Sequence, residues 1–126
     1  AKPGATGRLL VQLLERRLDN VVYRLGFAES RKNARQLVLH GHFKVNGRNC
    51  DIPSYLVKAG DVILLKDSSA ERAAFKKVVG GGPKHPLPQW LALDIDNKGG
   101  KATRLPGPED VELTVEPRLI VEYYSR

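Results

Sequence analysis

Between Thr6 and Leu25 the apolar residues Leu10, Leu14, Leu18, Val21 and Leu25 return every three or four positions, and Leu9, Leu13 and Val22 widen the stripe. That spacing puts them on one face of a helix, since 3.6 residues complete a turn. Thr6 fits the N-cap and Gly26 the stop, and the pattern suits one helix or two joined near Arg17. After Phe27-Ala28-Glu29 a second helix is expected, capped by Ser30, ended by Gly41, with Ala34, Leu37 and Val38 as its apolar face. The period then changes. Phe43-Lys44-Val45 alternates like a strand, Asn46-Gly47 is a strong hairpin-turn signal, and Arg48 to Ile52 should return antiparallel.

Beyond Pro53-Ser54, the turn Ala59-Gly60-Asp61 leads into the apolar run Val62–Leu65, which reads as a buried strand. Ser69 to Val79 suits a helix, stopped by Gly80-Gly81-Gly82 and followed by an irregular loop through Pro83, Pro86 and Pro88. Strand-like pieces follow at 90–93, 101–105 and 111–115, while Leu119-Ile120-Val121 is too short to assign. No internal repeat is visible. The order predicts an α+β protein: a helical lead-in over 1–16, a helix-helix-hairpin module over 17–66 and a β-rich part over 67–126.

At 126 residues, 41% hydrophobic and 28% charged, the chain suits one domain or one domain with an appendage. No apolar run approaches the roughly 18 residues that a membrane span needs. The opening Ala1-Lys2-Pro3-Gly4 does not read as a signal peptide. A single cysteine, Cys50, excludes an internal disulfide and fits a reducing compartment, so a cytosolic, soluble protein is expected.

Charge changes the picture more. The net charge is +7 and the isoelectric point about 9.8. Residues 1–66 hold 12 Lys and Arg against 5 Asp and Glu, whereas residues 67–126 hold 9 of each. All the excess lies in the first half. Such asymmetry points to a polyanion, because phosphates release condensed counterions when Lys and Arg neutralise them.

On the second helix Arg31 and Arg35 stand one turn apart beside the apolar arc, flanked by Lys32, and no acid occurs from Ser30 to His42. Two guanidiniums so placed can fork onto phosphate oxygens or stack on bases, and the helix N-terminus at Ser30 is itself favourable to anions. Lys44 and Arg48 bracket the turn and extend the strip onto the hairpin. Arg16, Arg17 and Arg24 extend it from the first helix, where Arg17 and Arg24 are seven apart and thus on one face; Glu15 and Asp19 are candidate partners for basic neighbours. A surface of two helices and a hairpin suits folded RNA, whose narrow major groove excludes side chains. Tyr55 suits a stacked base and a buried core tyrosine equally.

Catalytic constellations are missing. His40, His42 and His85 have no cysteine or carboxylate set at metal spacing, and Cys50 alone completes no zinc site. His40 and His42 read as hairpin-edge residues near phosphate, and Cys50 as a small buried strand residue. The glycine triplet lacks the Lys-Ser/Thr of a phosphate loop, and Asp94 and Asp96 read as solvated turn residues. No cofactor and no metal is expected.

The segments Arg17-Leu18-Asp19-Asn20-Val21-Val22-Tyr23-Arg24-Leu25-Gly26-Phe27, Ser30-Arg31, Ala34-Arg35-Gln36-Leu37-Val38, Gly41-His42 and Val45-Asn46-Gly47 resemble the RNA-binding domain named after ribosomal protein S-four. Pro53-Ser54-Tyr55 and Gly60-Asp61 continue the pattern. Related domains occur on pseudouridine synthases, a tyrosyl-tRNA synthetase and a heat-shock RNA binder. Trp90-Leu91, Leu93-Asp94, Gly100-Lys101, Arg104-Leu105-Pro106 and the ending Leu119–Arg126 are similar to the C-terminal part of the bacterial S-four family itself, and Leu13-Leu14-Glu15 to its lead-in. The resemblance covers nearly the whole chain; Asp67–Lys84 matches weakly.

That resemblance implies a component of the small ribosomal subunit that binds small-subunit ribosomal RNA early in assembly, at a multi-helix junction of the 5′ domain. It implies a place near the mRNA entry path with influence on decoding accuracy, neighbouring small-subunit proteins as partners, and in some members repression of their own mRNA. The protein would then be cytoplasmic, on the ribosome, or in an organelle of bacterial descent. It implies further that Arg31, Lys32, Arg35 and Gln36 face RNA and that Arg126 reaches it. Family chains carry a longer N-terminal region, sometimes with zinc-binding cysteines, so residues 1–16 are expected to be its remnant.

An RNA-modifying enzyme would need a catalytic aspartate in a separate domain, for which 126 residues leave no room. A free RNA chaperone on stalled large subunits and an anionic-membrane binder with an exposed amphipathic helix are the remaining rivals.

Overall fold

The computed structural model describes residues 3–72, 75, 83, 85–94 and 98–107, with side chains from residue 9 onward. Three helices lead: α1 (Pro3–Glu15), α2 (Leu18–Arg24) and α3 (Arg31–Leu39). Strands β1 (Phe43–Val45), β2 (Arg48–Asn49) and β3 (Val62–Leu65) follow, then a short α4 (Asp67–Ala70), β4 (Leu91–Asp94) and β5 (Gly99–Ala102). The class is α+β, as the order of periodicities predicts.

The Thr6–Leu25 stripe is two helices. The chain breaks at Arg16-Arg17, where Arg17 takes extended backbone and offers no side-chain cap. The free N–H groups of Leu18 and Asp19 instead donate to the carbonyls of Tyr55 and Pro53, at 2.8 and 3.2 Å. Those donors would otherwise be buried and unpaired, so the loop after the hairpin completes the start of α2. Thr6 is not an N-cap: α1 already runs from Pro3, where the fixed φ of proline suits a first turn.

The sheet is antiparallel throughout, in the order β2-β1-β3-β5-β4. It therefore crosses residue 66, because β3 pairs with β5. Asn46 and Gly47 both hold positive φ, 52° and 81°, as a tight two-residue hairpin requires. β2 is shorter than the predicted Arg48–Ile52: after Asn49 the chain leaves the ladder to cap α2. β4 lies one residue later than expected, and β5 starts two residues earlier and ends three earlier than expected, because Gly99 and Gly100 carry no side chain to reveal a pattern. Gly100 passes directly beneath α2, where a Cβ would sit 2.5 Å from Leu25 Cδ2.

Leu18, Val21, Val22, Ala34, Val38, Phe43, Ile63 and Trp90 fill the core between helices and sheet. Cys50 is half-buried beyond the end of β2 rather than a core strand residue. The expected helix 69–79 is described only as α4 and Phe75. The glycine triplet, Asp96, the strand expected at 111–115, the 119–121 stretch and Arg126 lie outside the described residues.

Candidate nucleic-acid interface

Ser30 caps α3 as its residue type suggests, its Oγ accepting from the Asn33 N–H at 3.0 Å. Ala34 and Val38 are buried beneath the helix, and Lys32, Gln36 and Leu39 lie on its exposed side. Arg31 stands beside the buried arc and Arg35 about 40° further round. Arg31 is not a loose cation: its Nε donates to Asn20 Oδ1 at 3.0 Å, and its guanidinium lies 4.7 Å from the centre of the Tyr23 ring. Both partners are uncharged, so neither cancels its charge. His40 is exposed just past the end of α3.

The cations of the first helices behave differently. Arg17 and Arg24 do not share a face of one helix, since the chain breaks before α2, and each meets a carboxylate. Arg17 grips both oxygens of Asp19 at 3.2 Å. Arg24 Nη2 lies 3.5 Å from Glu15 Oε1, and Arg24 Nε is buried without a hydrogen-bond partner among the described residues. Arg16 Nε donates to the Val57 carbonyl at 3.0 Å. These arginines fasten the fold through those bonds. Glu15 is itself buried, and burial raises its pKa, against the pull of Arg24, Trp90, Asn20 and Arg31.

On the hairpin, Arg48 is exposed and Lys44 half-buried on the outer face of the sheet. Among the described residues no ion pair or hydrogen bond holds the side chains of Lys32, Arg35, Lys44 or Arg48. By register, exposed Lys101 shares the face of Lys44, two strands away. Asn46 and Tyr55 are bound into a hub on Asp61. Asn46 Nδ2 donates to Asp61 Oδ1 at 2.9 Å, and Tyr55 OH and the Lys58 N–H donate to Oδ2 at 2.8 and 2.9 Å. Asn46 Oδ1 also accepts from the Val62 N–H.

Burial alone would raise the Asp61 pKa, but these donors, with the Lys58 charge, hold it below the usual carboxylate value. Burial and the Asp61 contact push the Tyr55 hydroxyl up to about 12. An open groove of about 510 Å³ lies between β2 and Tyr55, lined by Arg48, Asn49 and Cys50 among others.

Sequence reasoning missed Asn20 and Tyr23, which seat Arg31, and Asp61, which organises the turn. The segment Leu18-Asp19-Asn20 offered one signal, since an asparagine inside an apolar helix needs partners for its amide. It also missed that His42 Nδ1 lies 2.7 Å from Ser69 Oγ. Burial, then the charges of Arg72, His40 and Lys66, lower its pKa. Among the described residues no group of three or more His, Cys, Asp or Glu could hold a metal ion. Nor is any described helix long and apolar enough to cross a membrane.

Comparison with known proteins agrees with this arrangement. The S4 domain matches residues 16–63, which contain α2, α3 and the hairpin. Small ribosomal subunit protein uS4 of Halothermothrix orenii is 53% identical over 124 residues, covering 98% of this chain and 60% of that protein. The uS4 proteins of Persephonella marina and Chloroflexus aurantiacus are each 52% identical, over 97% and 99% of this chain and 60% and 62% of their own lengths. The chain thus spans about 60% of the length of such relatives. It carries an S4 domain at its centre and is similar along nearly all its residues to small ribosomal subunit protein uS4.

Proposed function

We propose that the chain is a structural, non-catalytic component of the small ribosomal subunit that grips small-subunit ribosomal RNA. The grip runs over Ser30, Arg31, Lys32, Arg35, Gln36 and His40 at α3 and continues over Lys44, Asn46, Arg48 and Tyr55 at the hairpin. Residues 17–66 form the RNA-binding module, 1–16 its helical lead-in, and 67–126 the part that extends its sheet. Arg16, Arg17 and Arg24 contribute mainly by bracing that surface. Arg126 completes the contact at the C-terminus.

Arg16, Arg17 and Arg24 are bonded to a carbonyl or to carboxylates, whereas Lys32, Arg35, Lys44 and Arg48 carry no such bond among the described residues. That contrast carries the assignment, because a cation that no carboxylate has neutralised exchanges its counterions for phosphates most readily. The names of the relatives and the S4 domain support it. The proposed role includes early binding at a junction of the 5′ domain, a place near the mRNA entry path with influence on accuracy, contacts with neighbouring subunit proteins, repression of its own mRNA, and residence on the ribosome.

Sucrose-gradient fractionation of cells expressing the tagged protein tests the core of this reading. Stoichiometric recovery in small subunits is expected, and recovery on large subunits or only in the free fractions would overturn it.

A further inference from the structure

Asn20 is buried, yet both ends of its amide are committed. Nδ2 donates to the Glu15 carbonyl at 2.7 Å, and Oδ1 accepts from Arg31 Nε at 3.0 Å. These two contacts fix the orientation of the amide, because a carbonyl only accepts and a guanidinium only donates. Glu15 is anchored in turn by the Trp90 indole N–H at 3.1 Å. Tyr23, three residues from Asn20 on the same face of α2, places its ring under the same guanidinium. One side chain of α3 thus rests on a two-point seat built on α2.

We propose that Asn20, with Tyr23, is a positioning residue that holds the Arg31 guanidinium ready for an RNA phosphate, a role that rests on the RNA-binding reading above. The seat uses Nε and one face of the plane. Neither Nη group carries a hydrogen bond among the described residues, so the fork that grips phosphate oxygens is left available. An arginine free in solvent loses its rotamer freedom when it binds, and a seated one has lost it already. That difference is worth about two- to tenfold in affinity. A guanidinium held by uncharged groups also keeps the charge that Arg17, bound to Asp19, has neutralised.

The test is a double-mutant cycle on binding to full-length small-subunit ribosomal RNA across a salt titration, with thermal unfolding measured alongside. Asn20→Ala is expected to weaken binding about two- to tenfold. Arg31→Ala should weaken it further and flatten the salt dependence, and the double variant should bind like Arg31→Ala alone. Tyr23→Leu should behave as Asn20→Ala does, whereas Tyr23→Phe, which keeps the ring, should bind like the wild type. If Asn20→Ala does not fold, the Tyr23→Leu and Arg31→Ala cycle decides.

An equal loss with and without Arg31 would mean that these residues act on the fold alone and would overturn the proposal. So would wild-type affinity in both seat variants. If Arg31→Ala changes nothing while the wild type binds, positioning falls and the RNA reading stands. A wild-type protein that fails to bind this RNA sinks both.

Discussion

Trp90 donates its indole N–H to the Glu15 carboxylate at 3.1 Å, across 75 positions of sequence, with the two side chains 0% and 3% exposed. The bond ties the end of α1 to the start of β4, while Arg24 lies against the same carboxylate and Asn20 donates to the Glu15 backbone carbonyl. Trp90→Phe keeps the aromatic bulk but strips a buried oxygen of its donor. Urea unfolding followed by circular dichroism should show a loss of about 1–3 kcal/mol. A stability within a few tenths of wild type would mean that the bond contributes nothing net.

Asn46 separates backbone from side-chain effects at the hairpin. Asn46→Gly keeps the left-handed backbone easily but loses the bonds to Asp61 and Val62, whereas Asn46→Ala loses both the bonds and the conformation. Alanine should therefore be the more damaging, by about 1 kcal/mol, in equilibrium unfolding.

Titration should show the hub from both sides. Tyr55 is raised in the fold to about 12, so its contribution is complete below pH 10 and fades as pH climbs toward 12. Asp61 is lowered, so its contribution is complete above about pH 4 and fades as pH falls through the depressed value. Ultraviolet titration should find a late-ionising phase, and Tyr55→Phe should remove it. Persistence of that late phase in the variant would reassign it.

Exposed and paired cations should separate by assay. Replacing Lys32 and Arg35 together by alanine should leave the unfolding midpoint nearly unchanged. The salt slope of ribosomal RNA binding should fall by about 0.7–0.9 per lost phosphate contact. Arg17→Ala should cost stability instead, because Asp19 is buried and, among the described residues, keeps only its neighbouring N–H donor. Equal salt slopes for the wild type and the Lys32/Arg35 variant would remove these two from the interface.

Much of the first half could be read directly. The Ser30 cap, the buried arc at Ala34 and Val38, the Asn46-Gly47 turn and the Val62–Leu65 strand all came through, because each depends on neighbours within a few positions. The break before α2 is not decided by the sequence, since the apolar stripe runs straight through it and the loop that caps α2 comes some 35 residues later. The start of β5 is not legible at Gly99 and Gly100, where close packing against Leu64 and Leu25 leaves no side-chain pattern to read.

By itself the sequence determined the helix-then-strand order, the hairpin turn and the concentration of positive charge in the first half, since propensity, periodicity and charge are local properties. Tertiary structure alone decided which cations remain available. Arg17 and Arg24 look no different from Lys32 and Arg35 along the chain, yet the first two are bound to Asp19 and Glu15. Arg31 finds Asn20 and Tyr23 only because α2 packs against α3. Whether a charge is free depends on what burial brings within about 4 Å of it, and that is settled by how the elements pack.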